Sequence, residues 1–254
     1  MSATPMTTVL VIGASGSIGQ QAVAESLRAG YTTRALVRNP AQASFFPKGT
    51  QIIVGNLTDP ETLAAALEGV TGVVFTQGTY RDAEAEQANY HPTRAVLGAL
   101  TAPARIALMT ALGVTKPTAG HDWKRRAERL VRASSLPYTI VRPGWFDYNA
   151  PDEQHLVFRQ GDTQWAGNSS DGVISRQHIA QVLIASLASD AATSKTFELV
   201  AEQGATQDQM EPLFAQLAPD TALDGPQDRA NLPLENEPQD FLDDLAAIRH
   251  RFTN

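Results

Sequence analysis

Three glycines at three-residue spacing, Gly13, Gly16 and Gly19, follow the apolar run Val9-Leu10-Val11-Ile12 and precede Gln20-Gln21-Ala22-Val23-Ala24-Glu25-Ser26-Leu27. The first position suits a tight turn, the second lets a phosphate approach the backbone, and the third lets a helix pack close to a strand. The free N–H groups and partial positive charge of the helix start then face the same point. With Ser15, Ser17 and Ile18 between the glycines, the chemistry is noncovalent: a cradle for the pyrophosphate of a nucleotide. Glycine-rich turns also close ordinary βα units, so the triplet alone is weak. Its surroundings strengthen it. The helix runs to Arg28-Ala29, stops at Gly30 as a residue just past a helix end should, and hands over to Thr32–Val37, a second strand at βαβ distance.

The elements that must position this loop repeat the alternation. Gln51–Val54 reads as a strand, Pro60–Leu67 as a helix, Val70–Thr76 as a strand, Glu84–Leu100 as a helix broken or started at Pro92, and Arg105–Thr110 as a strand. Asp122–Ser134 reads as an amphipathic helix with Asp122 as its N-cap. Trp123, Ala127, Leu130, Val131 and Ser134 share one face, and Lys124, Arg125, Glu128, Arg129 and Arg132 point to water. Tyr138–Val141 is a sixth strand. Trp145–Gly172 is irregular around the apolar Leu156-Val157-Phe158, as loops over ligands often are. A helix at Arg176–Leu187, a strand at Thr196–Val200 and a helix at Gln207–Leu217 restore regular structure. Pro219–Pro238, with four prolines, reads as extended, before a last helix at Gln239–Arg251.

The expected fold is α/β: a doubly wound parallel sheet of Rossmann type, with a dinucleotide-binding core over 1–144 and a small C-terminal substrate-covering lobe with a tail over 145–254. The 254 residues are 43% hydrophobic, a globular composition, and carry net charge −7, which disfavours nucleic acid and anionic membranes. The chain has no cysteine, hence no thiolate site, and the isolated His178 gives no metal-ligand spacing. Met1–Met6 is a short lead without a basic-then-apolar leader, and no apolar run reaches membrane length. The expectation is a cytoplasmic monomer or homodimer acting on a small molecule, without nucleic acid, membrane or metal.

Five motifs resemble the atypical, NmrA-like short-chain dehydrogenase/reductases, a family that includes NADPH-dependent quinone reductases and nitrogen-regulator-type dinucleotide sensors. They are Val11–Gly19, Arg34-Ala35-Leu36-Val37-Arg38-Asn39-Pro40, Gly55-Asn56-Leu57-Thr58-Asp59-Pro60, Leu108–Gly113 and Tyr138–Gly144. At the end of the second strand an NAD binder carries an acid for the ribose hydroxyls, whereas this chain offers Arg38, a fork suited to the 2′-phosphate of NADP. Arg38 also reads as a solvated loop residue. The resemblance puts Asn56 and Leu57 beside the adenine, where the family often has Asp at the first of the two, and carries over Pro143 as a cofactor contact. Thr76, Gln77 and Gly78, outside the carboxyl end of a parallel strand, would line the cofactor.

Catalysis in the wider superfamily uses a Tyr, a Lys four residues later and a Ser on a strand end. The resemblance places Lys124 at the lysine, which binds the nicotinamide ribose, Thr110 at or next to the serine, and Gly120 at the tyrosine. The usual proton donor is therefore missing. His121 could supply a proton near neutral pH, or could be merely solvated; Lys124 reads equally as an exposed helix residue. Hydride transfer to a quinone or flavin needs no protein acid, only a flat acceptor held against nicotinamide. Trp145, Phe146 and Tyr148 resemble the aromatic segment that does this in related reductases, or form core under the loop. The expected function is NADPH-dependent reduction of a small planar acceptor. The alternative is an NADP-binding sensor without turnover, whose acidic tail contacts a partner protein.

Overall fold

The computed structural model describes residues 7–252, so the Met1–Met6 lead lies outside the described residues. Seven strands form the parallel body: β1 (Thr8–Ile12), β2 (Thr32–Val37), β3 (Gln51–Val54), β4 (Gly72–Phe75), β5 (Arg105–Met109), β6 (Tyr138–Pro143) and β10 (Lys195–Glu202). Their order, β3-β2-β1-β4-β5-β6-β10, reverses direction at β1 and β4. That reversal opens a crevice outside the carboxyl ends of the strands. β8 (His155–Arg159) and β9 (Val173–Ile174) pair antiparallel with β10, and β7 (Trp145–Phe146) pairs with β9. The segment 145–172, expected to be irregular, therefore contributes two short strands, β7 and β8, to the same sheet.

Both sheet faces are covered, as a parallel sheet requires. β1 alternates, with Leu10 and Ile12 in one core and Val9 and Val11 in the other. The first core is closed by α2 (Pro60–Leu67), α3 (His91–Ala99), α4 (Ala119–Ala133) and α7 (Gln239–Phe252). The second is closed by α1 (Ser17–Arg28), α5 (Arg176–Ala188) and the short α6 (Glu211–Ala215), where a longer helix was expected. Pro92 sits in the first turn of α3, so it starts that helix; before it the chain makes a π turn at Glu86–Tyr90. α4 starts at Ala119 and is capped by the Thr118 hydroxyl, which accepts from the His121 N–H at 3.2 Å; Asp122 is not the cap.

The largest departure from the sequence expectation is the polar face of α4. Lys124, Arg125, Glu128, Arg129 and Arg132 do not point to water, and neither does Arg126; all are buried. The extended segment 219–238 crosses them. Arg132 Nε donates to Asp220 at 2.8 Å, Arg125 and Arg129 donate to Asp224 at 3.0 and 2.9 Å, and Arg126 and Arg129 share Glu237 at 2.6 Å. Beneath them Arg142 of β6 bridges Glu128 and Asp228. Helical periodicity registers polarity, and a facing acidic segment satisfies polarity as well as water does. The same contacts engage Asp220, Asp224, Asp228 and Glu237 of the acidic tail with this chain's own arginines.

Candidate dinucleotide cleft

A cleft of about 1100 Å³ lies over the carboxyl ends of the central strands. The turn after β1 forms its floor. Gly13 has φ +76, and a Cβ there would stand 2.7 Å from the Gln77 backbone nitrogen, so this position needs glycine for both conformation and space. A Cβ on Gly19 would stand 2.2 Å from the Gly13 carbonyl oxygen, so that residue lets α1 approach β1 instead of facing the cleft. Gly16 is the N-cap of α1 and brings no side-chain cap, which leaves the first N–H groups open to a ligand. Gly13, Ser15, Gly16, Ser17 and Ile18 all line the cleft.

From this floor the cleft runs in two directions. Toward β2 and β3 it meets Arg38, Asn56 and Leu57. Arg38 is exposed and makes no hydrogen bond or ion pair with another described residue. Asn56 uses its Oδ1 to accept from the Thr58 N–H at 3.2 Å, which shapes the turn. Toward β4 and β5 the wall is Thr76, Gln77, Gly78, Thr110, Lys124 and Phe146. Thr76 donates to the Ile12 carbonyl at 2.9 Å, tying two strand ends together. Gln77 Oε1 is buried and has no donor among the described residues.

Lys124 is only 5% exposed, not an exposed helix residue. Its Nζ lies 4.1 Å from the centre of the Tyr80 ring and has no hydrogen-bond acceptor among the described residues. Burial lowers its pKa to about 8, against a smaller upward pull from Glu128. A lysine with a depressed pKa binds fewer protons folded than unfolded between about pH 8 and 10.5. Ligand-free stability therefore rises with pH across that window. Lys124→Met, which removes the buried charge and keeps the bulk, is expected to stabilise the ligand-free protein at pH 7 by up to about 3 kcal/mol. The gain should fade as the pH rises above 8. Urea unfolding across pH 7–10 measures both.

The other two residues proposed for proton chemistry are engaged elsewhere. Thr110 lines the cleft, but its hydroxyl donates to Glu128 Oε1 at 2.7 Å. Burial pushes Glu128 up, yet the Arg142 and Arg132 guanidiniums outweigh it and keep the carboxylate charged. His121 is not part of the cleft wall. Its Nδ1 contacts the Lys116 carbonyl at 3.2 Å, and burial together with Lys124 lowers its pKa, so at neutral pH it is an unprotonated imidazole. Around Gly120, Asp82 accepts its N–H at 3.1 Å and Asn89 donates to its carbonyl at 3.2 Å.

Of the three aromatics after Gly144, only Phe146 reaches the cleft. Trp145 and Tyr148, 39% and 67% exposed, pack edge to face on each other with centroids 6.1 Å apart. Pro143 is buried in β6. His155 and Trp165 also stay outside, bonded to Ala205 and Asp162 carbonyls. Residues not singled out from sequence complete the wall: Tyr80 and Glu84 from the connection after β4, Gln87 from the π turn, and His91 and Arg94 from α3. The available signal was Pro92, which forbids one continuous helix over Glu84–Leu100.

The family model for NAD(P)H-binding proteins matches residues 13–190, and the chain belongs to that family. This accords with the resemblance carried by its five motifs. Photosystem II assembly factor Ycf39 of Trieres chinensis is 28% identical over 228 residues, 85% of this chain and 70% of that protein. The uncharacterized sugar epimerase YhfK of Bacillus subtilis is 29% identical over 206 residues, 75% of this chain and 92% of that one. The NAD(P)H azoreductase of Xenophilus azovorans is 28% identical over 184 residues, covering 70% and 63%. In fold the chain is similar to a Rossmann-fold NAD(P)-binding family protein from Shigella flexneri, with TM-score 0.61 and 20% identity over 81% of this chain and 98% of that one. Among the described residues, no helix is long and apolar enough to cross a membrane.

Proposed function

We propose that this protein is an NADPH-dependent reductase that passes hydride to a small planar acceptor such as a quinone. One observation carries the reading: the end of the cleft at Lys124 offers aromatic and cationic surface, and the positions of the usual tyrosine and serine, with the neighbouring histidine, turn no free proton toward it. The Thr110 proton points to Glu128, His121 is neutral and turned to Lys116, and position 120 has no side chain. An acceptor whose reduced form is a stabilised anion, protonated by water, suits such a site. The azoreductase among the relatives, by its name, acts on an acceptor of that flat, conjugated kind. In this reading Gly13 to Ile18 hold the diphosphate and Asn56 and Leu57 the adenine side. Gln77 and Lys124 hold the nicotinamide ribose, and Phe146 and Tyr80 flank the acceptor.

The test is oxidation of NADPH by the purified protein with a panel of quinones, azo dyes and flavins. Turnover with at least one supports the reading; tight NADPH binding with turnover of none overturns it. Arg38 decides between the two dinucleotides. Arg38→Ala is expected to lower the preference for NADPH over NADH about tenfold or more, the value of a lost charge-assisted phosphate contact. Fluorescence titration of both cofactors reads the ratio, and an unchanged ratio refutes the 2′-phosphate assignment.

A further inference from the structure

The glycine loop faces a second guanidinium, from the far half of the chain. Arg176 opens α5, next to the Ser175 cap. Its Nε donates to the Ser17 Oγ at 3.0 Å, and its guanidinium carbon stands 5.5 Å from the centre of the Phe146 ring. Ser17 and Phe146 both line the cleft, the first at the phosphate cradle and the second in the wall toward β4 and β5. Arg176 thus spans the gap between them. Its Nη1 is paired with Asp147 Oδ2, while Asp147 Oδ1 accepts the Arg176 backbone N–H at 2.9 Å. Nη2 bonds to no described residue, so one edge of the fork is open.

We infer that Arg176 is a ligand of the dinucleotide's diphosphate, held in position by Asp147 until the cofactor arrives. The inference rests on the reading that the cleft binds NADPH. Arg176 and Asp147 are 36% and 48% exposed, and a pair so open to water is weakly held. A diphosphate seated on the open N–H groups of α1 lies beside Ser17, where the guanidinium already points. A phosphate offers the fork two oxygens and more charge than the single Asp147 oxygen it contacts now. Asp147 itself sits at φ +59, a conformation uncommon for a residue with a side chain, which turns its carboxylate back onto the start of α5. The arrangement links cofactor occupancy to β7: when Arg176 closes on the diphosphate, the guanidinium resting over Phe146 moves with it.

Binding measurements separate this role from the rest of the cleft. NADPH carries the diphosphate, and adenosine 2′-monophosphate lacks it while keeping the groups that Arg38 and Asn56 would meet. Arg176→Met is expected to weaken NADPH about tenfold, to leave adenosine 2′-monophosphate within twofold of the parent, and to flatten the salt dependence of NADPH affinity. Arg176→Lys should recover part of the affinity, and Asp147→Asn should bind NADPH as tightly as the parent or more tightly. NADPH affinity unchanged in Arg176→Met overturns the inference, as does equal weakening of both ligands or a Lys variant no better than Met. If the parent protein binds neither ligand, the cofactor reading fails first and takes this inference with it.

Discussion

Arg142→Met is expected to lower the unfolding free energy by about 3–5 kcal/mol, the penalty for leaving buried charges without their partner. Arg142 is 1% exposed and binds four carboxylate oxygens: Glu128 Oε1 at 3.0 Å and Oε2 at 2.7 Å, and both oxygens of Asp228 at 2.7 Å. Without it, Glu128 keeps the weaker Arg132 contact at 3.3 Å, and Asp228 loses its counter-ion. The pH dependence is a second signature. Burial pushes Asp228 up, but its bonds to Arg142 win and bring its pKa to about 2. That contribution is present above the ordinary pKa of 3.8 and is lost as pH falls through about 2. In Arg142→Met the loss should already be present at neutral pH. Urea unfolding followed by tryptophan fluorescence reads the difference. Arg28→Met serves as control, since that arginine is 71% exposed and its pair with Glu25 is held in water, where such pairs contribute little.

The second large effect belongs to Gly19→Ala. The added methyl would meet the Gly13 carbonyl oxygen at 2.2 Å and the Ala14 Cα and oxygen at 2.7 Å. These are backbone atoms of the phosphate turn, so no side chain can swing aside, and either α1 moves off β1 or the turn opens. Overpacking of this kind costs about 1–3 kcal/mol or more. The functional loss should exceed it, because moving this turn also moves the N–H groups that would hold the diphosphate: NADPH affinity is expected to fall at least tenfold. Gly98→Ala is the contrast. In α3, Gly98 has nothing within 4 Å of an added Cβ, so the substitution should stabilise by about 0.5–1 kcal/mol through helix propensity alone. Thermal unfolding and NADPH titration of the two variants would show opposite signs of stability change.

The parallel strands and the glycine turn were legible because their signals are local. Apolar runs such as Val9–Ile12, fixed spacing and a following helix identify a βαβ unit within about thirty residues. The walls of the cleft near Arg38, Asn56 and Thr76 were legible for the same reason, since each ends a recognisable strand. The other end of the cleft was not. Tyr80 reaches it from the irregular connection after β4 and His91 from a helix that starts after a π turn, while Trp145 and Tyr148 turn away from it, and no periodicity encodes either outcome. The face of α4 was misread because its partner lies about a hundred residues downstream. Asp220 and Asp224, four apart, meet Arg132 and the pair Arg125 and Arg129, but spacing alone does not say whether such acids meet water or a helix.

That long-range match bears on how the chain comes off the ribosome. All of the glycine turn and all of α4 are made well before Asp220 to Glu237, the residues that neutralise the arginines of α4. At about 5–20 residues per second, the roughly hundred residues separating them take about 5–20 s to synthesise. Throughout that interval the nascent sheet can pair its strands, yet the helix meant to cover β5 and β6 presents a row of unneutralised cations. The cofactor-binding half therefore cannot complete its fold while it is being made. A nascent chain stalled before residue 219 should remain open to proteases and to polyanions, and should become resistant only when the last segment is released to lie across α4.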